Sequence, residues 1–197
     1  MSKLNSVTYA IVAPHIRQLP AKSAKVAILI PCYNEELTIA EVIKEFKTAL
    51  PNADVYVFDN NSSDRTVGKA TEAGAVVYEE SRQGKGYVVQ TMFREIEADI
   101  YVMIDGDGTY PVISVNQLIE PVMNGRADMV VGTRLHVTSD SMFRIPNLLG
   151  NFMYKILVNK LFRVRLTDIL SGYRVFNRRL VRSLPLFKGG FETEAEI

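Results

Sequence analysis

Four short runs rich in β-branched residues, Val26 to Ile30, Val55 to Phe58, Ala75 to Tyr78 and Ile100 to Ile104, recur along one stretch of this chain, separated by segments of helical character. The first separator, Glu35 to Leu50, carries Leu37, Ile39, Ala40, Val42, Ile43, Phe46 and Leu50 at helical spacing. Asp64 to Ala73, closed by Gly74, and Tyr87 to Glu97 predict two more helices. The alternation therefore predicts an α/β fold with a mostly parallel central sheet and helices on both faces. Pro31 predicts the end of the first strand. Residues 1–23 read as a loosely attached arm ending in Pro20-Ala21-Lys22-Ser23, and residues 24–197 as one domain.

With 23 basic and 22 acidic residues, a formal net charge of +1, the chain has no global electrostatic footprint for nucleic acid, so an anion must be bound locally. A hydrophobic fraction of 47% over 197 residues suffices for a full core. The single cysteine, Cys32, excludes an internal disulfide or a cysteine-rich zinc site and fits a reducing compartment. No apolar run approaches the roughly 18 residues of a membrane span. Tyr9 to Ala13, cut by Pro14, is too short for a signal-peptide core. A cytoplasmic location is the expectation. His15 and His136 stand isolated and carry no ligand spacing.

Ligands of open α/β sheets bind beyond the carboxyl ends of the strands, which is where the polar residues of this chain cluster. Pro31-Cys32-Tyr33-Asn34-Glu35-Glu36 follows the first strand, and Asp59-Asn60-Asn61-Ser62-Ser63-Asp64-Arg65-Thr66 the second. Arg82-Gln83-Gly84-Lys85-Gly86 follows the third, and Asp105-Gly106-Asp107-Gly108-Thr109-Tyr110-Pro111 the fourth. Singly, each has an ordinary reading. Asn34 or Glu35 can cap a helix, Ser62 or Ser63 with Asp64 can supply an N-cap and a first-turn acid, and Gly84-Lys85-Gly86 can be an exposed turn. Their joint occurrence on one sheet edge points to a site. Asp105 and Asp107 are same-side residues of an extended segment, and the adjacent glycines permit close approach. Two carboxylates so placed can hold a hard divalent cation beside a diphosphate.

This ordered set, with Val131-Gly132-Thr133-Arg134, Leu170-Ser171-Gly172-Tyr173-Arg174 and Gly190-Phe191-Glu192, resembles the metal-dependent glycosyltransferases of family 2, and among them the dolichyl- or polyprenyl-phosphate mannose and glucose synthases. The resemblance runs from about Val26 to the last residue. It implies the GT-A nucleotide-diphospho-sugar transferase fold, with a Rossmann-like central sheet. It further implies that Pro31, Tyr33 and Glu35, with Asn34 between them, line the base and ribose pocket and that Asp59, with Asn60, contacts the nucleoside. Asp105 and Asp107 become the catalytic metal ligands for Mg²⁺ or Mn²⁺ on the diphosphate, with Gly106 between them. Arg134 and Arg144 reach the acceptor phosphate, and Ser171, Arg174 and Glu192 are further acceptor-side candidates. The sequence departs from the family pattern at Asn60, where a second acid is frequent, and at Cys32, where threonine or serine is usual. Cys32 has no adjacent histidine and no argument as a nucleophile. Family members continue past the segment matching Phe191 to Glu196 with a basic loop, some adding membrane helices, so the expectation is a catalytic domain truncated at its C-terminal end.

The chemistry agrees with a phosphate acceptor. Cleaving a sugar-diphosphate bond leaves negative charge that a divalent ion and Lys85 can stabilise. A phosphate monoester, with a second pKa of about 6, needs cationic positioning more than a base. Arg134, Arg144 and Arg174 suit that role, whereas Arg163 and Arg165 read as a solvated face. The amphipathic segment from Asn147 to Phe162 reads either as a core-packing helix or as an interfacial helix on the cytoplasmic face of a membrane, where Lys155 and Lys160 suit an anionic leaflet. The expected activity is inverting transfer of a hexose from a UDP- or GDP-sugar to a polyprenyl phosphate. The alternatives are a family 2 enzyme acting on a sugar hydroxyl in polysaccharide or O-antigen synthesis, with Glu192 or Glu194 as base, and a non-catalytic nucleotide-sugar-binding module. A dinucleotide-binding dehydrogenase is disfavoured because no G-x-G-x-x-G follows the first strand. A sugar nucleotidyltransferase is disfavoured because Gly132-Thr133-Arg134-Leu135, which resembles part of its loop, lies too late.

Overall fold

The computed structural model describes residues 11–12, 24–132, 171–187 and 189–190. Strands β1 (Ile11–Val12), β2 (Val26–Cys32), β3 (Asp54–Asp59), β4 (Val76–Glu79), β5 (Ile100–Met103), β6 (Met129–Val131) and β7 (Arg174–Asn177) form a 7-stranded sheet in the order β1-β6-β7-β5-β2-β3-β4. From β4 to β5 all neighbours are parallel. Strand β7 is antiparallel to β5 and to β6, and β1 to β6. Strands β2 to β6 thus point one way, and the sheet is mostly parallel. Ile11 and Val12, in the stretch read as an arm, add its edge strand against Val130 and Met129.

Among the described residues five α-helices flank the sheet: α1 (Ile39–Ala49), α2 (Thr66–Glu72), α3 (Lys85–Glu95), α4 (Val115–Met123) and α5 (Arg178–Ser183). Alternation along β2 divides the core in two. Ile28, Ile30 and Cys32 pack with Ile39, Val42, Ile43 and Phe46 of α1, Ala70 of α2 and Leu118, Ile119 and Val122 of α4. Ala27 and Leu29 face the opposite layer, Val88, Val89 and Met92 of α3 and Val181 of α5. Helices therefore cover both faces. Phe46 is 0% exposed, and burying a side chain of that size contributes roughly 2–3 kcal/mol.

Strand β2 does not stop at Pro31 but runs on to Cys32, paired with Asp59. The Leu29 carbonyl accepts from Ile104 N–H on the β5 side, and the Cys32 carbonyl from Asn60 N–H on the β3 side. Alternation turns the Pro31 nitrogen toward β5, where the pairing ends at Met103, so the proline limits that ladder and leaves the β3 side intact. Helix α1 begins at Ile39 rather than Glu35, because the intervening residues are bonded into the loops of the sheet edge.

Candidate active site

The carboxyl ends of β2, β3 and β5 and the start of α3 meet on one edge of the sheet. Two asparagines turn the chain there with positive φ, Asn34 at 57° and Asn61 at 63°, a conformation asparagine tolerates better than most residues. The loops after β2 and β3 are stitched together. Asn34 N–H donates to Ser62 Oγ at 2.9 Å, and Asn34 Oδ1 accepts from Ser63 N–H at 2.8 Å. Glu35 N–H donates to Thr66 Oγ1 at 2.8 Å, and Glu36 N–H to Asp64 Oδ2 at 3.1 Å. Pro31 lies within β2 opposite Phe58, and Tyr33 stands at the rim, 53% exposed.

Asp59 and Asn60 are both 4% exposed but serve different ends. Asp59 Oδ2 accepts from Ser62 N–H at 3.0 Å, while its Oδ1 is buried with no hydrogen-bond partner among the described residues. Such an orphaned acceptor is costly unless something donates to it. The Asn60 amide is committed to the loop before α3. Its Nδ2 donates to the carbonyls of Glu80 and Arg82, both at 2.9 Å, and its Oδ1 accepts from Gly84 N–H at 2.7 Å. A carboxylate here would face two carbonyl oxygens, which accounts for an amide at this position. The same loop is braced by Glu80, whose carboxylate takes a two-pronged bond from Arg82 at 2.9 and 2.7 Å. The Arg82 bonds, with that of Thr91, hold Glu80 well below the ordinary 4.5, at about 2, against the opposing effect of burial.

Lys85, the first residue of α3, donates from Nζ to Asp105 Oδ1 at 2.6 Å. Gly106 lets the acidic loop lie against the floor of the site, since a Cβ there would come within 2.8 Å of Cys32 Sγ. Thr38 Oγ1 donates to the Gly106 carbonyl at 2.7 Å. Asp107 Oδ1 accepts from both the amide and the hydroxyl of Thr109, at 2.9 and 2.7 Å. The edge is acidic enough to perturb itself. Burial and then Asp107 raise the Glu35 carboxyl, and burial, then Glu35 and Asp59, push the Cys32 thiol far up. Asp105 and Asp107 are hard oxygen donors, the type that Mg²⁺ or Mn²⁺ takes. Among the described residues no group of three or more His, Cys, Asp or Glu side chains could hold an ion alone. Asp105 and Asp107 could hold such an ion only together with further ligands, such as the oxygens of a diphosphate.

Two positions that the sequence reading left without a role complete the wall. A side chain on Gly172 would collide with the Asp105 carboxylate. Gly172 is held there by Tyr110, whose hydroxyl oxygen accepts from Gly172 N–H at 2.7 Å. Ser171 and Arg174, read as acceptor-side residues, lie inside this support at 0% and 2% exposure. Ser171 Oγ donates to the Gly132 carbonyl at 2.5 Å, and Arg174 Nε to the Ser171 carbonyl at 2.9 Å. The quoted segments Asp105 to Pro111 and Leu170 to Arg174 contain Tyr110 and Gly172, so the signal was present, but only folding brings them together. Arg134, Arg144, Glu192 and the segment from Asn147 to Phe162 lie outside the described residues. Among the described residues no helix is long and apolar enough to cross a membrane.

The sequence matches the Glycosyl transferase family 2 domain over residues 27–184, a span that runs from the second residue of β2 through α5. The chain belongs to glycosyl transferase family 2. Protein RfbJ of Shigella flexneri is 47% identical over 122 residues, covering 62% of this chain and 95% of that protein. The dolichol-phosphate mannosyltransferase of Pyrococcus furiosus is 28% identical over 190 residues, covering 88% of this chain and 52% of its own length. The chain thus spans about half of that relative. Among solved structures, glucosyl-3-phosphoglycerate synthase from Mycobacterium tuberculosis superposes with a TM-score of 0.70 at 26% identity, over 87% of this chain and 64% of that one. A crystal structure of that synthase holds Mn²⁺, UDP-glucose and glycerol 3-phosphate, and matches at 25% identity with a TM-score of 0.68 over 87% of this chain and 63% of that one. The family 2 chain described here has the GT-A fold of these relatives.

Proposed function

We propose that this edge is the donor site of a metal-dependent inverting glycosyltransferase that moves a hexose from a UDP- or GDP-sugar to a polyprenyl phosphate. The observation that carries the reading is the Lys85–Asp105 pair beside Asp107, backed by the Gly172 wall, at the carboxyl end of a parallel sheet. That the mycobacterial synthase was crystallised with Mn²⁺ and UDP-glucose supports a divalent ion used together with a nucleotide-sugar. Asp59 Oδ1 is the acceptor a nucleobase N–H would satisfy, and both uracil and guanine carry a suitable one. Tyr33 and Glu35 lie in the loop after β2 on the same sheet edge. Lys85 holds negative charge in place as the nucleoside diphosphate departs, and Gly172 and Tyr110 keep the Asp105 carboxylate from swinging away. A divalent ion, when bound at Asp105 and Asp107, supplies Lewis-acid neutralisation of the diphosphate.

The lipid phosphate as acceptor is supported by the resemblance and by the name of the Pyrococcus relative. One observation favours keeping a sugar hydroxyl as the second reading: Arg174 is buried in the fold rather than presented to an acceptor. The test is transfer of labelled sugar from a panel of UDP- and GDP-sugars with Mn²⁺ or Mg²⁺, offered polyprenyl phosphate in detergent or oligosaccharide hydroxyls. Label in the lipid phase, lost on Asp107→Ala, supports the proposal. Label only on oligosaccharide moves the assignment to the second reading, and nucleotide-sugar binding without turnover in any arm would make the chain a binding module.

A further inference from the structure

The first turn of α3 is closed by main chain from the far end of the described sequence. Gly84, its N-cap, supplies no side-chain bond, and the first amides of a helix otherwise have no internal partner. Here the Gly189 carbonyl accepts from Gly86 N–H at 3.0 Å, while Tyr87 N–H divides between the Gly84 carbonyl at 3.1 Å and the Gly189 carbonyl at 3.4 Å. The contact is cut to fit from both sides. Gly84 has φ +138°, and a Cβ on it would strike the Gly189 carbonyl; a Cβ on Gly189 would strike the Tyr87 ring. That ring is itself fixed under Arg82, whose guanidinium carbon lies 4.7 Å from its centroid. Lys85 sits between Gly84 and Gly86, its backbone pinned on both sides and its Nζ on Asp105.

We propose that Gly189 is a positioning residue of the transferase, a main-chain strap that fixes the first turn of α3 and so holds Lys85 on the donor diphosphate. This rests on the reading of Lys85 and Asp105 as donor-site residues. Through the strap, the chain beyond β7 and α5 is mechanically tied to the donor loop. Loosening that end weakens donor binding without touching a ligand contact.

Hydrogen exchange on the unsubstituted full chain tests the strap itself. The Gly86 amide, whose bond is to Gly189, is expected to be protected like those inside α3, whereas first-turn amides normally exchange freely. Free exchange at Gly86 overturns the proposal. The coupling is tested by titrating UDP and GDP with Mn²⁺ into the unsubstituted chain, Gly189→Val, Lys85→Met and the double variant. Gly189→Val is expected to weaken binding by about fivefold, the effect of one lost hydrogen bond. In the Lys85→Met background it is expected to add little, because the strap acts through Lys85. Full additivity, or unchanged affinity in Gly189→Val, overturns the coupling. If the unsubstituted chain binds neither nucleotide, the donor-site reading fails and the coupling with it, while exchange still decides the strap.

Discussion

Asn60→Asp changes one atom type and should cost more than most core truncations. The Asn60 amide donates two hydrogen bonds to buried carbonyls and is 4% exposed. An ionised aspartate would leave both carbonyls unpaired beside a like partial charge, at about 1–3 kcal/mol each for lost satisfaction alone. The variant escapes by protonating, and that sets the cost. Holding a carboxyl of ordinary pKa about 3.9 protonated at pH 7 requires about 4 kcal/mol, at 1.36 kcal/mol per unit. One hydroxyl cannot serve two carbonyls, so about 1 kcal/mol more is lost. The expected destabilisation is therefore about 5 kcal/mol at pH 7, falling to about 2–3 kcal/mol at pH 5. The sign follows from linkage: the folded variant holds its proton above the unfolded pKa, so it gains stability relative to the parent chain as pH falls. Urea unfolding of the parent chain, Asn60→Asp and Asn60→Ala at pH 7, 6 and 5 measures this. Asn60→Ala loses the same bonds without a titrating group, so its deficit should not move with pH. An Asn60→Asp deficit under about 1 kcal/mol at pH 7, or one independent of pH, would refute the reasoning.

Gly172→Ala forces a methyl group onto the Asp105 carboxylate, and metal-dependent donor turnover should fall by at least about a hundredfold, in line with losing a well-placed site group; steady-state kinetics with Mn²⁺ varied would show it. Glu80, held at about 2, contributes stability that is complete above its unfolded pKa near 4.5 and is lost as pH falls toward 2. After discounting for Arg82, which is 48% exposed, the contribution is about 2 kcal/mol, and acid unfolding of Glu80→Gln should lack this part of the pH dependence. Cys32, 3% exposed with its thiol pushed up, should resist a thiol reagent at pH 8 in the native chain and react at once in denaturant.

The parallel half of the sheet is legible in the sequence because β2, β3 and β5 are near-continuous apolar runs buried on both faces. The short strands β6 and β7 are not. Met129 to Val131 and Arg174 to Asn177 are brief, and what makes them strands is pairing with each other across a long sequence separation. Helix starts were legible only where local chemistry sets them. Helix α1 begins late because Glu35 and Glu36 spend their amides on Thr66 and Asp64. Helix α3 begins at Lys85 rather than Tyr87 because the Gly84 carbonyl already accepts from Tyr87 N–H and Val88 N–H. The acidic motif and its neighbouring polar loops could be placed on one edge from the strand pattern alone. The division of labour between Asp59 and Asn60 could not, because only the fold shows which of them faces the Glu80–Gly84 loop.

The donor-edge assignment is tested most directly by equilibrium titration of UDP and GDP into the full chain with and without Mn²⁺, repeated with Asp105→Asn and Asp107→Asn. Binding of one nucleotide that strengthens by at least about tenfold with Mn²⁺, and loses that gain in both variants, is the expected result. Affinity that is indifferent to the metal and to both substitutions would contradict it.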